Sequence, residues 1–219
     1  MTAPLRVLIA CECSGIVRRA FSARGHDAWS VDLKPAEDRS NRHIIGDVRD
    51  YLTPDWDLLA VMHPPCTRLT NSGVRWRTSP PPGRTLPEMW AELDAGAALF
   101  SACLNAPIDR IAVENPVMHR HAKARITNFR PHSQTVQPWQ FGTDEGGPDN
   151  VTKRTCLWLK GLPNLRPTGT LDGTTARDEI HKATPGPDRA TRRSRFFPGL
   201  AEAMADQWVG YAQQEMHHG

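Results

Sequence analysis

Apolar residues in the first half of the chain fall into short continuous runs separated by helical patterns. Runs typical of buried strands occur in LRVLIA, AWSVD, HIIGD, WDLLAVM and DRIAVE. Between the first two, IVRRAFSARG places apolar residues on one helical face and stops at Gly25, a common helix cap. Pro87 opens a second helix, whose apolar residues recur every three or four positions up to Leu104. Strand and helix therefore alternate, which predicts an α/β fold with a doubly wound, mostly parallel sheet.

The second half of the chain predicts fewer regular elements. TCLWL has the composition of a further strand, and residues 199–212 follow a helical pattern. The run SPPPG makes residues 69–85 a long loop, and residues 161–195 are rich in Pro, Gly and Thr without a sustained period. We therefore expect an α/β domain over residues 1–160, a loop-rich segment over 161–195, and a C-terminal helix within 196–219 that packs back on the domain.

Composition narrows the class of protein. The chain has 219 residues, of which 39% are hydrophobic and 23% charged, as expected for one globular domain. No apolar run approaches the ~20 residues that span a bilayer, so no membrane partner is expected. The sequence enters its first strand without a signal peptide, which predicts a cytoplasmic location in a bacterial or phage-infected cell. The five cysteines are odd in number and stand in apolar contexts, so reduced thiols are expected.

Basic residues cluster although the net charge is only +3. Three stretches are rich in arginine and lysine and nearly free of acidic residues, which suggests one face built for a polyanion. For any single stretch, solvated loops are the alternative. The stretches carry Arg68, Arg75, Arg77 and Arg84; Arg120, Lys123, Arg125 and Arg130; and Arg189, Arg192, Arg193 and Arg195.

The predicted strand ends assemble one candidate site. Ligands of open α/β sheets bind beyond the carboxyl ends of the strands. There the strands deliver CECSG, Asp32, Asp47, Pro-Pro-Cys and Glu114-Asn115. A turn containing Gly15, followed roughly 20 residues later by an acid, is typical of a nucleoside pocket. Because a full GxGxxG is absent, a nucleoside without a pyrophosphate fits better than NAD; a plain turn cap is the alternative for Asp32.

Cys66 has three readings: a buried core filler, a metal ligand or a nucleophile. Free cysteines are often buried. This thiol, however, follows the end of a strand on a proline-stiffened turn, next to His63 and Arg68, where positive charge favours the reactive thiolate. Cys11 and Cys13 could complete a zinc site with them, but Cys-x-Cys is not the usual zinc spacing. We favour the nucleophile and expect no metal.

Glu114 ends an apolar strand, where a carboxyl group is partly desolvated. Such a group can hold or donate a proton near neutrality. The alternative is a surface glutamate that pairs with one of the arginines.

Together these motifs resemble the cytosine-C5 DNA methyltransferases, in particular the compact phage- and prophage-borne members. The specific part is the order and spacing of Pro-Pro-Cys and Glu-Asn, on successive strand ends about fifty residues apart. The similar segments cover nearly the whole chain outside the loops. They are LIACECSGIVRRAFSARGHDAWSVDL, GDVRDYL, HPPCTRL, RIAVENPV, QPWQFG, KRTCLWLKGLP and RSRFFPGLAEAMADQW.

The resemblance implies S-adenosylmethionine as cofactor, cytosine-containing DNA as partner, and base flipping to reach the cytosine. It implies that Cys66 attacks C6, that Glu114 binds and protonates N3, and that Arg154, or less surely Lys153, holds the O2 side. The implied cofactor contacts are Cys11, Glu12, Cys13, Ser14, Gly15, Asp32, Leu33, Asp47, Val48 and Pro64. The implied substrate contacts are Pro65, Arg68, Arg75, Arg77 and Asn115, with the arginine-rich loop placed to close over the extruded strand.

Two departures keep alternatives open. CECSG has Glu12 and a single glycine where the family has a Phe and two or three glycines. The family also inserts a recognition domain of roughly a hundred residues after the later strand, a typical small-domain size, where this chain has only residues 161–195. Several alternatives would account for the missing recognition domain. The chain could use a short recognition element such as DEIHKATPG, have relaxed specificity, or rely on an accessory specificity protein. Its substrate could also be single-stranded DNA, RNA or a free cytidine nucleotide. Three further hypotheses remain. The same residues could deliver another group to C5, or the chain could be a non-catalytic relative that only binds. It could also be a thiol redox protein using Cys11 and Cys13, although it lacks the usual Cys-x-x-Cys motif.

Overall fold

The computed structural model describes residues 3–62, 64–71, 74–178 and 196–218. Within them, seven strands form one sheet in the order β3-β2-β1-β4-β5-β7-β6. Strands β1 to β5 run parallel, and β7 is antiparallel to both β5 and β6. The predicted α/β class with a mostly parallel sheet is confirmed. The strands are β1 (Arg6–Ala10), β2 (Asp27–Asp32), β3 (His43–Ile45), β4 (Leu58–Val61), β5 (Ile111–Asn115), β6 (Gln134–Val136) and β7 (Thr155–Lys160).

Helices cover both faces of the sheet. They are α1 (Ile16–Ser22), α2 (Leu86–Leu104), α3 (Arg120–Lys123) and α4 (Pro198–His218). Helices α1 and α4 share one apolar core with the sheet, centred on Phe21 and Trp208. On the other face, α2 and α3 share a second core, in which Phe100 lies edge-on to Trp158 with ring centroids 5.2 Å apart. The C-terminal helix α4 thus packs beside α1 on the sheet.

Helix α2 begins where the sequence places it. The Thr85 hydroxyl accepts a hydrogen bond from the amide of Glu88 (3.4 Å), and the Glu88 carboxylate accepts one from the amide of Thr85 (2.7 Å). This capping box satisfies two amides that a helix end leaves open, and Pro87 fits the first turn because it needs no donor there.

Several short elements differ from the predictions. The third strand ends at Ile45, before Asp47, because Asp47 caps a 3₁₀ turn over Val48–Tyr51. Strand β6 and helix α3 were not predicted, and the long loop contains a 3₁₀ turn at Val74–Arg77. Residues 161–178 are irregular, as predicted, while residues 179–195 lie outside the described residues. No helix in the described part of the chain is long and apolar enough to cross a membrane.

Candidate active site

The carboxyl ends of the parallel strands meet at one edge of the sheet. Ala10 pairs with Val31 of β2 and with Val61 of β4, and Val61 pairs with Val113 of β5. The segments that follow these residues therefore leave the sheet side by side. They are the CECSG turn, the loop after Asp32, the Pro-Pro-Cys turn and Glu114–Asn115.

A cavity of about 580 Å³ opens beside these strand ends, against the first half of α2. Its volume is within the range of small-molecule sites. Five predicted cofactor contacts line it, together with two predicted substrate contacts. They are Cys11, Asp32, Leu33, Asp47 and Val48, and Pro65 and Arg68. Leu33 is 75% exposed, so the cavity presents a large apolar side chain to whatever enters.

The other predicted cofactor contacts, Glu12, Cys13, Ser14, Gly15 and Pro64, do not line this cavity. Glu12 is buried, and its carboxylate accepts hydrogen bonds from the amide of Val17 (2.9 Å) and the hydroxyl of Ser14 (2.7 Å). It therefore closes the amino end of α1. Burial raises the pKa of Glu12, although these hydrogen bonds act in the opposite direction.

An ion-pair cluster built on the buried Arg18 covers the Gly15 turn. The Arg18 guanidinium donates hydrogen bonds to Asp38 (2.5 Å), Ser40 (2.7 Å) and Ser30 (3.1 Å). Asp38 also accepts one from Arg19 (2.5 Å). Burial opposes ionisation of Asp38, but the two arginines hold the pKa of its carboxyl below the usual value. The cluster fixes the loop after β2 over the turn that begins α1.

The two acids at the cavity are already engaged within their own loops. Asp32 accepts a hydrogen bond from the amide of Lys34 (2.9 Å), so the turn-cap reading holds alongside its place in the cavity wall. Asp47 accepts hydrogen bonds from the amide and Nε of Arg49, each at 2.9 Å, and these lower its pKa to about 2. Arg49 also lines the cavity and was not predicted; its only signal is the Asp-x-Arg spacing after a strand end.

Cys66 lies outside the core. It is half-buried, in a turn where its carbonyl accepts the amides of Leu69 (2.9 Å) and Thr70 (3.1 Å). By contrast, Cys103 is buried, and burial raises its pKa to about 12. Partial exposure excludes the core-filler reading of Cys66. His63, its predicted neighbour, lies outside the described residues.

Hydrogen bonds tie the Cys66 turn to the segment that follows Glu114 and Asn115. Thr70 forms an antiparallel bridge with Met118. His119 donates its backbone amide to the carbonyl of Leu69 (3.0 Å) and its Nε2 to the carbonyl of Arg68 (2.7 Å). The loops after β4 and β5 therefore form one unit.

Glu114 and Asn115 are buried at the end of β5, at 2% and 0% exposure. Neither polar atom of the Asn115 amide has a hydrogen-bond partner in the described part of the chain. Asn115 pairs with Cys156 at the start of β7. Burial raises the pKa of that thiol, its hydrogen bond with Thr135 lowers it, and the charges of Glu114 and Arg154 act on it in opposite directions.

Of the two predicted basic residues before β7, Arg154 is exposed and Lys153 is buried. The Lys153 ammonium lies 5.3 Å from the centroid of the Phe197 ring. Exposure favours Arg154 over Lys153 for contact with a ligand.

Acidic residues of α2 neutralise part of the predicted basic face. Arg68 pairs with Glu92 (2.7 Å), Arg84 pairs with the same carboxylate, and Arg125 pairs with Asp94 (2.5 Å). The first two basic stretches contain no acidic residues in the sequence. In the folded protein, however, α2 packs beside them and supplies acidic partners. The third stretch, Arg189 to Arg195, lies outside the described residues.

The arginine-rich loop is anchored at Trp76. This side chain is 3% exposed, and its ring lies edge-on to Trp90 of α2 at 5.1 Å. Arg75 next to it is exposed and Arg77 is half-buried. The loop therefore presents its arginines from a fixed turn.

Among the described residues, no group of three or more His, Cys, Asp or Glu side chains is arranged to hold a metal ion. A scan of the chain against models of known protein families gives no match, and no curated protein is significantly similar to it.

Proposed function

We propose that the chain is an S-adenosylmethionine-dependent methyltransferase that acts on cytosine C5 in DNA. The observation that carries the proposal is the placement of Cys66: the residue is half-buried, stands between Pro65 and Thr67, which line the cavity, and lies in a turn hydrogen-bonded to the segment after Glu114 and Asn115. The mostly parallel, doubly wound sheet agrees with the fold that the sequence resemblance implies.

The cavity suits the adenosyl part of S-adenosylmethionine. Val31, Leu33 and Leu99 give it apolar walls for a flat base, and the Asp32 carboxylate at its rim suits ribose hydroxyls. Asp47, held ionised by Arg49, would accept hydrogen bonds from an amino group. When bound, the cofactor supplies a methyl group on a positively charged sulfur.

Cys66 would make cytosine C5 nucleophilic by covalent catalysis. Its thiolate adds to C6, so a C6–S bond forms, the electrons of the C5–C6 double bond form a C4–C5 double bond, and those of the C4–N3 double bond move to N3. Glu114 in its protonated form gives a proton to N3, and C5 becomes an enamine carbon. After C5 has taken the methyl group, a base removes the C5 proton, the double bond forms again and the C6–S bond breaks. The thiolate leaves, and the N3 proton returns to Glu114.

Two further residues would position the base. The unpartnered amide of Asn115 carries a donor and an acceptor in a site free of solvent, where a base edge would satisfy them. Arg154, exposed directly before β7 and two residues from the Cys156 that pairs with Asn115, would hold the cytosine O2.

The test supplies S-adenosylmethionine with a labelled methyl group and four substrates: duplex DNA, single-stranded DNA, RNA and deoxycytidine monophosphate. The structure predicts label on C5 of a cytosine, lost in Cys66→Ser and kept in Cys103→Ser, whose buried thiol is far less reactive. Label on none of the four rejects the methyltransferase. Label on RNA or on the nucleotide alone would show that DNA is not the substrate, while methyl transfer to cytosine C5 would stand.

A further inference from the structure

A cationic cluster surrounds Trp90 on the surface made by α2, α3 and the Val74–Arg77 turn. The Arg125 guanidinium carbon lies 4.7 Å from the centroid of the Trp90 ring, and the His121 ring lies edge-on at 5.7 Å. Arg120 donates its Nε to Nε2 of His121 (3.2 Å). We call Arg77, Trp90, Arg120, His121 and Arg125 the Trp90 cluster.

Positive charge in the Trp90 cluster exceeds the carboxylates that face it. Arg125 pairs with Asp94, but Arg77 and Arg120 have no acidic partner in the described part of the chain. The Nε of Arg77 is buried and has no acceptor among the described residues. Like charges held together, and a donor left without an acceptor, are both unfavourable until an anion joins them.

The imidazole of His121 reports this crowding. Desolvation lowers its pKa, and the positive charges of Arg77, Arg120 and Arg125, with His119, lower it further. These residues come from the 3₁₀ turn, from α3 and from the segments next to it. Arg125 and His121 contact the Trp90 ring, Arg120 contacts His121, and Arg77 follows Trp76, which packs on the same ring.

The Trp90 cluster is connected to the rim of the candidate active site. The ring of His119 lies 5.9 Å from that of His121, and its Nε2 donates to the carbonyl of Arg68, two residues after Cys66. The guanidinium carbon of Arg68 is 6.0 Å from the ring centroid of Trp76, which itself packs on Trp90. Direct contacts through His119 and Trp76 therefore join the Trp90 cluster to the turn that carries Cys66.

We propose that the Trp90 cluster binds backbone phosphates of the nucleic-acid strand whose cytosine enters the cleft. This rests on the proposed function and adds Arg120 and His121 to the residues that contact substrate. The planar guanidinium groups of Arg77 and Arg120 match the geometry of phosphate oxygens. Bound phosphate would also favour protonated His121, in which Nε2 no longer accepts from Arg120 and both ring nitrogens are donors.

The first test measures binding by fluorescence anisotropy with a fluorescein-labelled, cytosine-containing oligonucleotide, as a single strand and as a duplex, over a range of salt. Arg77→Gln combined with Arg120→Gln should weaken binding about tenfold or more and reduce the salt slope by about one for each phosphate that the protein no longer binds. Arg110→Gln combined with Arg166→Gln removes the same charge. Arg110 directly precedes β5, at the opposite edge of the sheet, so this control should change binding little. Equal affinities and slopes for the two double variants would overturn the proposal. The oligonucleotide that binds more tightly shows whether the protein prefers a single strand or a duplex.

The second test follows the His121 imidazole by NMR during a pH titration. Adding the oligonucleotide should raise its pKa; an unchanged pKa at saturation refutes phosphate contact at the cluster. Neither test needs methyl transfer. If the cluster variants weaken binding but the protein transfers no methyl group, the phosphate site stands and the proposed function is rejected. If the protein transfers a methyl group but the cluster variants bind normally, the proposed function stands and the phosphate site is rejected.

Discussion

Replacing Gly15 by alanine tests the turn that joins β1 to α1 beside the cavity. Gly15 has φ 71°, and a Cβ there would lie 2.5 Å from Nη2 of Arg18 and 2.6 Å from Oδ2 of Asp38. Arg18 cannot move aside freely, because its side chain is 5% exposed and bonded to Ser30 and Ser40. Alanine must therefore displace the Arg18–Asp38 ion pair.

The expected loss has two parts. Left-handed backbone costs a residue with a Cβ about 1–2 kcal/mol. Losing one charge-assisted hydrogen bond of the buried arginine adds about 1.5–3 kcal/mol. We expect Gly15→Ala to lower the free energy of unfolding by about 3 kcal/mol or more.

Gly25 provides a matched control. Its φ is 81°, but a Cβ there meets nothing within 4 Å. Gly25→Ala should thus show the backbone cost alone, about 1–2 kcal/mol. Urea unfolding followed by tryptophan fluorescence gives both values, and calorimetry with S-adenosylmethionine should show weaker binding only for Gly15→Ala. Equal losses for the two variants would refute the close packing over the Gly15 turn.

Three further predictions concern single side chains. Glu114→Gln cannot give a proton to N3, so methyl transfer should fall at least about 100-fold while calorimetric cofactor affinity stays within about threefold; an unchanged rate removes Glu114 from the chemistry. Trp76→Ala should cost about 3–5 kcal/mol in urea unfolding and Trp76→Phe less, because the buried indole N–H has no partner in the described region; a loss below about 0.5 kcal/mol for alanine would mean that the ring is not packed. The pKa of Glu12 is raised in the folded state. Protonated Glu12 therefore stabilises the fold at pH values below its unfolded-state pKa, and this contribution is lost as the pH rises through its folded-state pKa. The free energy of unfolding of Glu12→Gln, relative to that of the native protein, should therefore be higher at pH 7 than at pH 4 in the same assay. The same difference at both pH values would contradict a raised pKa of Glu12.

The sheet and its functional edge follow from local patterns in the sequence. Buried parallel strands are continuous apolar runs, and the polar residues directly after them must meet at one edge. This reasoning places Asp32, Pro65 and Glu114 correctly. It fails for short elements such as β6, whose three residues are too few to show a period.

Side-chain partners distant in sequence are the part that the sequence does not reveal. The neutralisation of Arg68 by Glu92 and the burial of Trp76 depend on how α2 packs. Likewise, Glu12 stands in the motif expected to contact the cofactor, but its carboxylate turns to the amides of α1. Spacing identifies which residues reach an edge, whereas packing decides what each side chain does there.

The central claim is that Cys66 bonds to C6 of the cytosine during methyl transfer. An oligonucleotide containing 5-fluorocytosine tests it, because after C5 has taken the methyl group there is no proton for a base to remove and the C6–S bond cannot break. With S-adenosylmethionine present, intact-mass spectrometry should show the protein plus one oligonucleotide and one methyl group. Peptide mapping should place the bond at Cys66, and Cys66→Ser should show none. An adduct at Cys11 or Cys13, or no adduct while the unfluorinated oligonucleotide is methylated, would contradict the account.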